Sequence, residues 1–249
     1  MSLKNTVNSA LERAFGFRLV RMRKPYRELR PLESFFTLLK RQNFQPRRIY
    51  DVGANHGSWT RCAIGYFPNA LYTLVEPQDH LKSNIDDLIK RGVSIEWISA
   101  GAGNECGVQW FTIAARDDSS SFVPQPEISG VNSNQVKMEI TTLNKIAATH
   151  SGAKPELVKI DAEGWDLKVL VGASDLLGIT DIFLIEAAVC AVGIENTIFS
   201  VMQRFDQLGY RLIDITDLNR SPKDGALWLT ELAFLRRGSP LLDRVVRYE

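Results

Sequence analysis

The chain has 249 residues, of which 45% are hydrophobic and 24% charged, and its formal net charge is +1. That is ordinary globular composition, enough for one large α/β domain whose core needs no metal or disulfide staple. No apolar run approaches the ~20 residues of a membrane-spanning helix, and three widely spaced cysteines with neither CxxC nor a Cys/His cluster exclude a disulfide framework or a zinc site.

The charge is not evenly spread. Residues 1–30 hold eight Lys/Arg against Glu12 and Glu28, a net +6, which leaves about −5 for the rest of the chain. Leu3, Val7, Leu11 and Phe15 recur at four-residue spacing along this basic head, which predicts a helix interrupted at Gly16 and Pro25. Its basic side reads as a solvated face, or alternatively as a surface for anionic lipid or another polyanion. Glu12 and Arg13 break the apolar stretch that a secretory signal would need, so a cytoplasmic protein is expected. In that setting Cys62, Cys106 and Cys190 are expected to be reduced and mostly buried. We divide the chain into this segment, 1–30, and a domain over 31–249.

From Pro31 strand and helix alternate. A helix over Leu32–Arg41 precedes a strand at Arg48–Val52. A helix over Ser58–Tyr66 leads to a strand at Ala70–Glu76, and a helix over Leu81–Arg91 leads to a strand at Ser94–Ile98. Such short-linked alternation predicts a parallel sheet with helices on both faces. Between 101 and 142 the rhythm changes to a β-ribbon or loop-rich insertion, with strands at Val108–Ile113 and Val136–Ile140. Alternation then resumes with a helix at Leu143–Thr149, a strand at Leu157–Asp161, a helix at Trp165–Val171, a strand at Ile182–Glu186 and a helix at Ile194–Leu208. Tyr210–Ile215 and Leu227–Arg236 follow with no helix between them, an antiparallel pair at one edge of the sheet. Trp59, Trp110, Trp165 and Trp228 read as core more readily than as platforms for a sugar.

In an open parallel sheet, ligands collect beyond the carboxyl ends of the strands, where the strand order reverses. Asp51-Val52-Gly53-Ala54-Asn55-His56-Gly57 lies at the end of the first strand, and Gly53 and Gly57 permit backbone shapes closed to other residues. The helix after it points free N–H groups at a carboxylate or another anion. Glu76 ends the second strand 25 residues after Asp51, where a carboxylate can accept the ribose hydroxyls of an adenosine cofactor. A dinucleotide fingerprint requires G-x-G-x-x-G, and counting from Gly53 the other glycine positions hold Asn55 and Ser58. A cofactor with a single carboxylate therefore fits better than one with a pyrophosphate.

The segment from Asp51 to Trp59 resembles the "DVGANxGxW/Y" opening motif of the FkbM-type methyltransferase family. Val75-Glu76-Pro77 is similar to its acidic strand end, Ser119-Ser120-Ser121 to its serine-rich loop, and Thr141-Thr142-Leu143 to its "TTLD" segment, with Asn144 where Asp is usual. Leu157 to Ala173 resembles "lKiDvEGxExxVLxGa", and the match spans roughly residues 47–190. The resemblance implies a class I methyltransferase, a Rossmann-like fold whose sheet ends in an antiparallel strand pair, which uses S-adenosylmethionine to methylate hydroxyl groups of sugars, glycolipids or secondary metabolites.

Methyl transfer from a sulfonium is an in-line displacement that rewards orientation and desolvation, and a hydroxyl acceptor profits from a positioned base. Glu163, Glu186 and His56 are the candidates for that base. Asp51, Gly53, Asn55, Gly57, Glu76 and Asp161 are the candidates for holding the cofactor, Asp161 through its amino group. Asp161, Glu163 and Glu186 together could instead bind Mg²⁺. The competing readings are a nicotinamide-dependent oxidoreductase and a non-catalytic binding module built on residues 1–30. The acceptor is expected to be a small molecule or glycan rather than a nucleic acid, because the body of the chain is acidic and carries no RNA-binding motif.

Overall fold

The computed structural model describes residues 30–114, 120–122, 134–150, 154–190 and 194–241. The basic head up to residue 29, with Asp117, Asp118 and Ser119 of the polar loop, lies outside the described residues.

Helix α1 (Pro31–Arg41) opens with proline at its first position, and Glu33 accepts from the amide of Arg30 at 3.2 Å. The elements that follow are β1 (Arg48–Val52), α2 (Ser58–Ile64), β2 (Leu71–Val75), a 3-10 helix (Asp79–Ile85), α3 (Asp86–Lys90) and β3 (Ile95–Ile98). The insertion contributes β4 (Gly101–Ala102), β5 (Gly107–Ile113) and β6 (Asn134–Thr141). The second half runs α4 (Leu143–Thr149), β7 (Leu157–Ile160), α5 (Asp166–Val171), β8 (Ile182–Ala188), α6 (Ile198–Gln207), β9 (Tyr210–Arg220) and β10 (Leu227–Arg236).

Seven strands form one sheet in the order β3-β2-β1-β7-β8-β10-β9. Pairing is parallel from β3 across to β8, whereas β10 runs antiparallel to both β8 and β9. The expected terminal pair is thus present, with the last strand inserted between β8 and β9. The strand order reverses between β1 and β7, the switch point at which a ligand crevice is expected.

Alternate residues of the strands feed two cores, as a sheet covered on both faces requires. Tyr50, Val158, Phe183 and Phe234 pack against Ile146 of α4, Val169 of α5 and Phe205 of α6. Ile49, Leu157, Leu184 and Ala233 pack against Phe36 of α1, Ala63 of α2 and Leu88 of α3. The Phe205 and Phe234 rings stack 4.2 Å apart at 8°.

Three expectations are corrected. Leu81–Arg91 is not one helix, because Arg61 of α2 donates to the carbonyl of Asn84 and to the carboxylate of Asp87. That diverts the Asn84 carbonyl and splits the segment at Ile85. The cysteines are free, but Cys106 and Cys190 are exposed and Cys62 is only half-buried. Trp165 is buried, as read, whereas Trp110 and Trp228 are about half exposed.

The insertion is a separate three-stranded sheet, β4-β6-β5, with β5 antiparallel and β4 parallel to β6. No helix among the described residues is long and apolar enough to cross a membrane.

Candidate active site

At the carboxyl end of β1 the chain turns through Gly53 (φ 72°), Asn55 (φ 47°) and Gly57 (φ 73°). Glycine at 53 is dictated by proximity as well as by dihedral. A Cβ there would lie 1.7 Å from the carbonyl oxygen of Asp161 at the end of β7. The two loops of the switch point are therefore in backbone contact, and they frame one side of a cleft of about 100 Å³.

Gly53, Asn55, Glu76, Asp161 and Glu163 line that cleft, with Phe111 and Phe122 of the insertion forming an apolar wall. The serine loop reaches the same place through Ser120, whose hydroxyl accepts the amide of Ala114 at 3.1 Å. Five residues read from the sequence thus converge. The others sit around the rim or beneath. Asp51 is fully buried below the floor, accepting from Thr60 Oγ1 at 2.5 Å. Gly57 precedes the first turn of α2, His56 is exposed, and Glu186 is half-buried on β8 outside the cleft lining.

Glu76 is 3% exposed. One carboxylate oxygen accepts the amide of Asn55 at 2.9 Å and the other the amide of Gln78 at 3.0 Å. Burial raises its pKa, and those two amides oppose the rise by favouring the charged form. A carboxylate offers about four acceptor positions, so the pair of amides orients Glu76 without exhausting it.

A cation missed in the sequence lies under the floor. Lys159, in the middle of β7, extends Nζ to 3.3 Å from Asp51, 3.2 Å from Asp161 and 3.2 Å from the carbonyl of Gly53. Burial alone would lower its pKa, but Asp161, Asp51 and Glu231 outweigh that and hold the ammonium charged. The signal was present in Leu157-Val158-Lys159-Ile160-Asp161, where Lys159 and Asp161 share a strand face by their period of two.

Acid dominates the rest of the neighbourhood. Glu186 and Glu231 are register partners on β8 and β10 and so lie side by side. Burial pushes the Glu186 carboxyl far above its usual range, reinforced by Asp161, Asp166 and Glu163. Burial likewise raises Glu231, which accepts from Thr216 Oγ1 at 2.5 Å, to about 7. Asp166, fully buried at the start of α5, is raised to about 7 by burial and by Asp161. Among the described residues no three His, Cys, Asp or Glu side chains are grouped to hold a metal ion, so the geometry lends no support to the Mg²⁺ site considered for Asp161, Glu163 and Glu186.

Residues 51–212 match the model of the methyltransferase FkbM domain. No curated protein matches the chain. Solved structures with a similar backbone include a precorrin-6y C5,15-methyltransferase from Geobacter metallireducens (13% identity, 86% of this chain and 92% of that one, TM-score 0.47). They also include an rRNA methylase from Streptococcus thermophilus (9% identity, 84% and 98%, TM-score 0.48). A third is an O-methyltransferase of neocarzinostatin biosynthesis in complex with S-adenosylmethionine and 2-hydroxy-5-methyl naphthoic acid (11% identity, 76% and 49%, TM-score 0.40).

Proposed function

The chain belongs to the FkbM methyltransferase family, and from that premise we propose that it moves the methyl group of S-adenosylmethionine onto a hydroxyl group. The observation that carries this reading is Glu163, a carboxylate lining the same cleft as Glu76 and Asp161.

The donor set suits this cofactor. Glu76 retains acceptor capacity for ribose hydroxyls, and Asp161, whose side chain is 35% exposed, faces the cleft as a partner for the methionine ammonium. Gly53 and Asn55 bring backbone close to the ligand. A pyrophosphate would meet Glu76, Asp161 and Glu163, while Lys159 is committed to Asp51, Asp161 and the Gly53 carbonyl. That charge pattern disfavours a nicotinamide dinucleotide and favours a ligand carrying positive charge. It also opposes a phosphate backbone, in keeping with a sugar, glycolipid or secondary metabolite as acceptor.

When bound, the cofactor supplies an electrophilic methyl on a sulfonium. The protein supplies the rest. Phe111 and Phe122 wall the cleft with apolar surface, Asp161 and Glu76 would hold the donor, and Glu163 is placed to take the proton of an acceptor hydroxyl. Glu186 keeps its own proton at neutral pH, which makes it a poorer acceptor. His56, exposed on the loop, is the remaining candidate.

The test is incorporation of labelled methyl from S-adenosylmethionine into fractionated glycans, lipids and small metabolites of the source cell. Glu163→Gln should lower turnover by about 10²–10⁴-fold, the usual weight of a general base, with S-adenosylmethionine still bound. Wild-type turnover in both Glu163→Gln and Glu186→Gln would sink the assignment.

A further inference from the structure

The turn between β7 and α5 puts Glu163 in a left-handed conformation (φ 50°), followed by Gly164 (φ 91°). Glutamate has no intrinsic preference for that region, so the surrounding contacts must hold it there. The carboxylate of Asp166 grips the amides on either side. One oxygen accepts from Ala162 N at 3.0 Å and the other from Gly164 N at 3.1 Å. Asn196, 3% exposed, donates to the second oxygen at 3.0 Å and, through the same nitrogen, to the carbonyl of Glu186 at 2.6 Å. From the far side Ser121 Oγ donates to the carbonyl of Glu163 itself at 2.8 Å. Ser121 is in turn tied to β5 by paired backbone bonds with Thr112, at 2.9 and 3.1 Å.

Three separate segments therefore fix one residue: the start of α5, the loop before α6 and the serine loop of the insertion. Asp166 is fully buried beside Asp161, and burial with that neighbour lifts its carboxyl to about 7. A carboxylate kept at such a cost, gripping a turn in an uncommon conformation, is the kind of local conflict that folds retain at working sites.

We propose that Asp166, with Asn196 and Ser121 closing the clamp, is the positioning residue of methyl transfer, acting by holding Glu163 against the cleft. This rests on the reading of Glu163 as the base. Because Ser121 belongs to the insertion that walls the cleft, the clamp also couples that wall to the base.

The test is a double-mutant cycle on the full chain, reading kcat for labelled methyl transfer, KM for S-adenosylmethionine, cofactor affinity and melting temperature. Asp166→Asn keeps the shape but turns an accepting oxygen into a donor against a backbone N–H. It should lower kcat by about 10²-fold, the scale of a misplaced catalytic group, with KM and cofactor affinity within about 3-fold. In the Glu163→Gln background the same substitution should cause no further loss, because the two act as one unit. An undiminished fall in kcat in that background overturns the proposal and leaves the base assignment standing. Wild-type turnover in Glu163→Gln alone overturns the base assignment and the positioning role with it. Should Asp166→Asn fail to fold, Ser121→Ala removes a single hydroxyl and closes the same cycle with a smaller expected loss of about 3–10-fold.

Discussion

At the scale of single residues the site is a surplus of carboxylates around one ammonium, and that surplus has a consequence for stability. A carboxyl whose folded pKa exceeds its unfolded value stays protonated longer in the folded chain. Its ionisation therefore costs stability as pH rises between the two values. Asp166 and Glu231, raised to about 7 by burial, and Glu186, raised further, all push in this direction. The cofactor-free protein should thus lose stability as pH climbs from about 5 to 8. Glu186→Gln, which removes the titratable carboxyl but keeps the shape, should raise the melting temperature at pH 8 and leave it nearly unchanged at pH 5. The gain corresponds to about 2–4 °C for each kcal/mol relieved in a chain of this size. Thermal melts at the two pH values decide it, and an equal fall at both would contradict the account. The residues behind this effect divide by how they could be read. Asp51, Glu76 and Asp161 end strands and sit in local motifs, so the sequence exposes them. Lys159 was legible in the same way, two residues before Asp161 on one strand face, whereas Glu231 and Asn196 matter only because register and packing bring β8, β10 and the loop before α6 together, and no local pattern encodes those meetings.

At the scale of elements the period-two and helical patterns locate most strands closely. Arg48–Val52 and Leu227–Arg236 begin and end where the hydrophobic alternation says they should. The split at Ile85 was invisible because it depends on Arg61, a residue of another helix. The place of β10 between β8 and β9 was hidden for a similar reason, since alternation reports that two strands pair but not which neighbour each takes next. The basic head stands apart from the sheet in charge as well as in pattern. We propose that residues 31–249 carry the methyltransferase as one domain and that residues 1–30 serve acceptor or surface contact. Deleting residues 1–30 should leave S-adenosylhomocysteine affinity within about 3-fold of the full chain, or less than 1 kcal/mol. Calorimetric titration of both proteins checks this, and loss of binding on deletion would place the head inside the cofactor domain.

At the scale of the whole molecule, the reversal of strand order between β1 and β7 opens the crevice, and the insertion closes it from the side with Phe111, Ser120 and Phe122. On the function proposed above, the charge within it favours a cofactor that brings positive charge and no pyrophosphate. Ligands that bind only the folded state raise its melting temperature by mass action. The most direct measurement is therefore a melting curve of the protein titrated separately with S-adenosylhomocysteine and with NAD. At a hundred times its dissociation constant, S-adenosylhomocysteine should stabilise the fold by about 2.7 kcal/mol, a rise of roughly 5–10 °C, while NAD leaves the curve in place. A rise with NAD and none with S-adenosylhomocysteine would contradict the methyltransferase account at its centre.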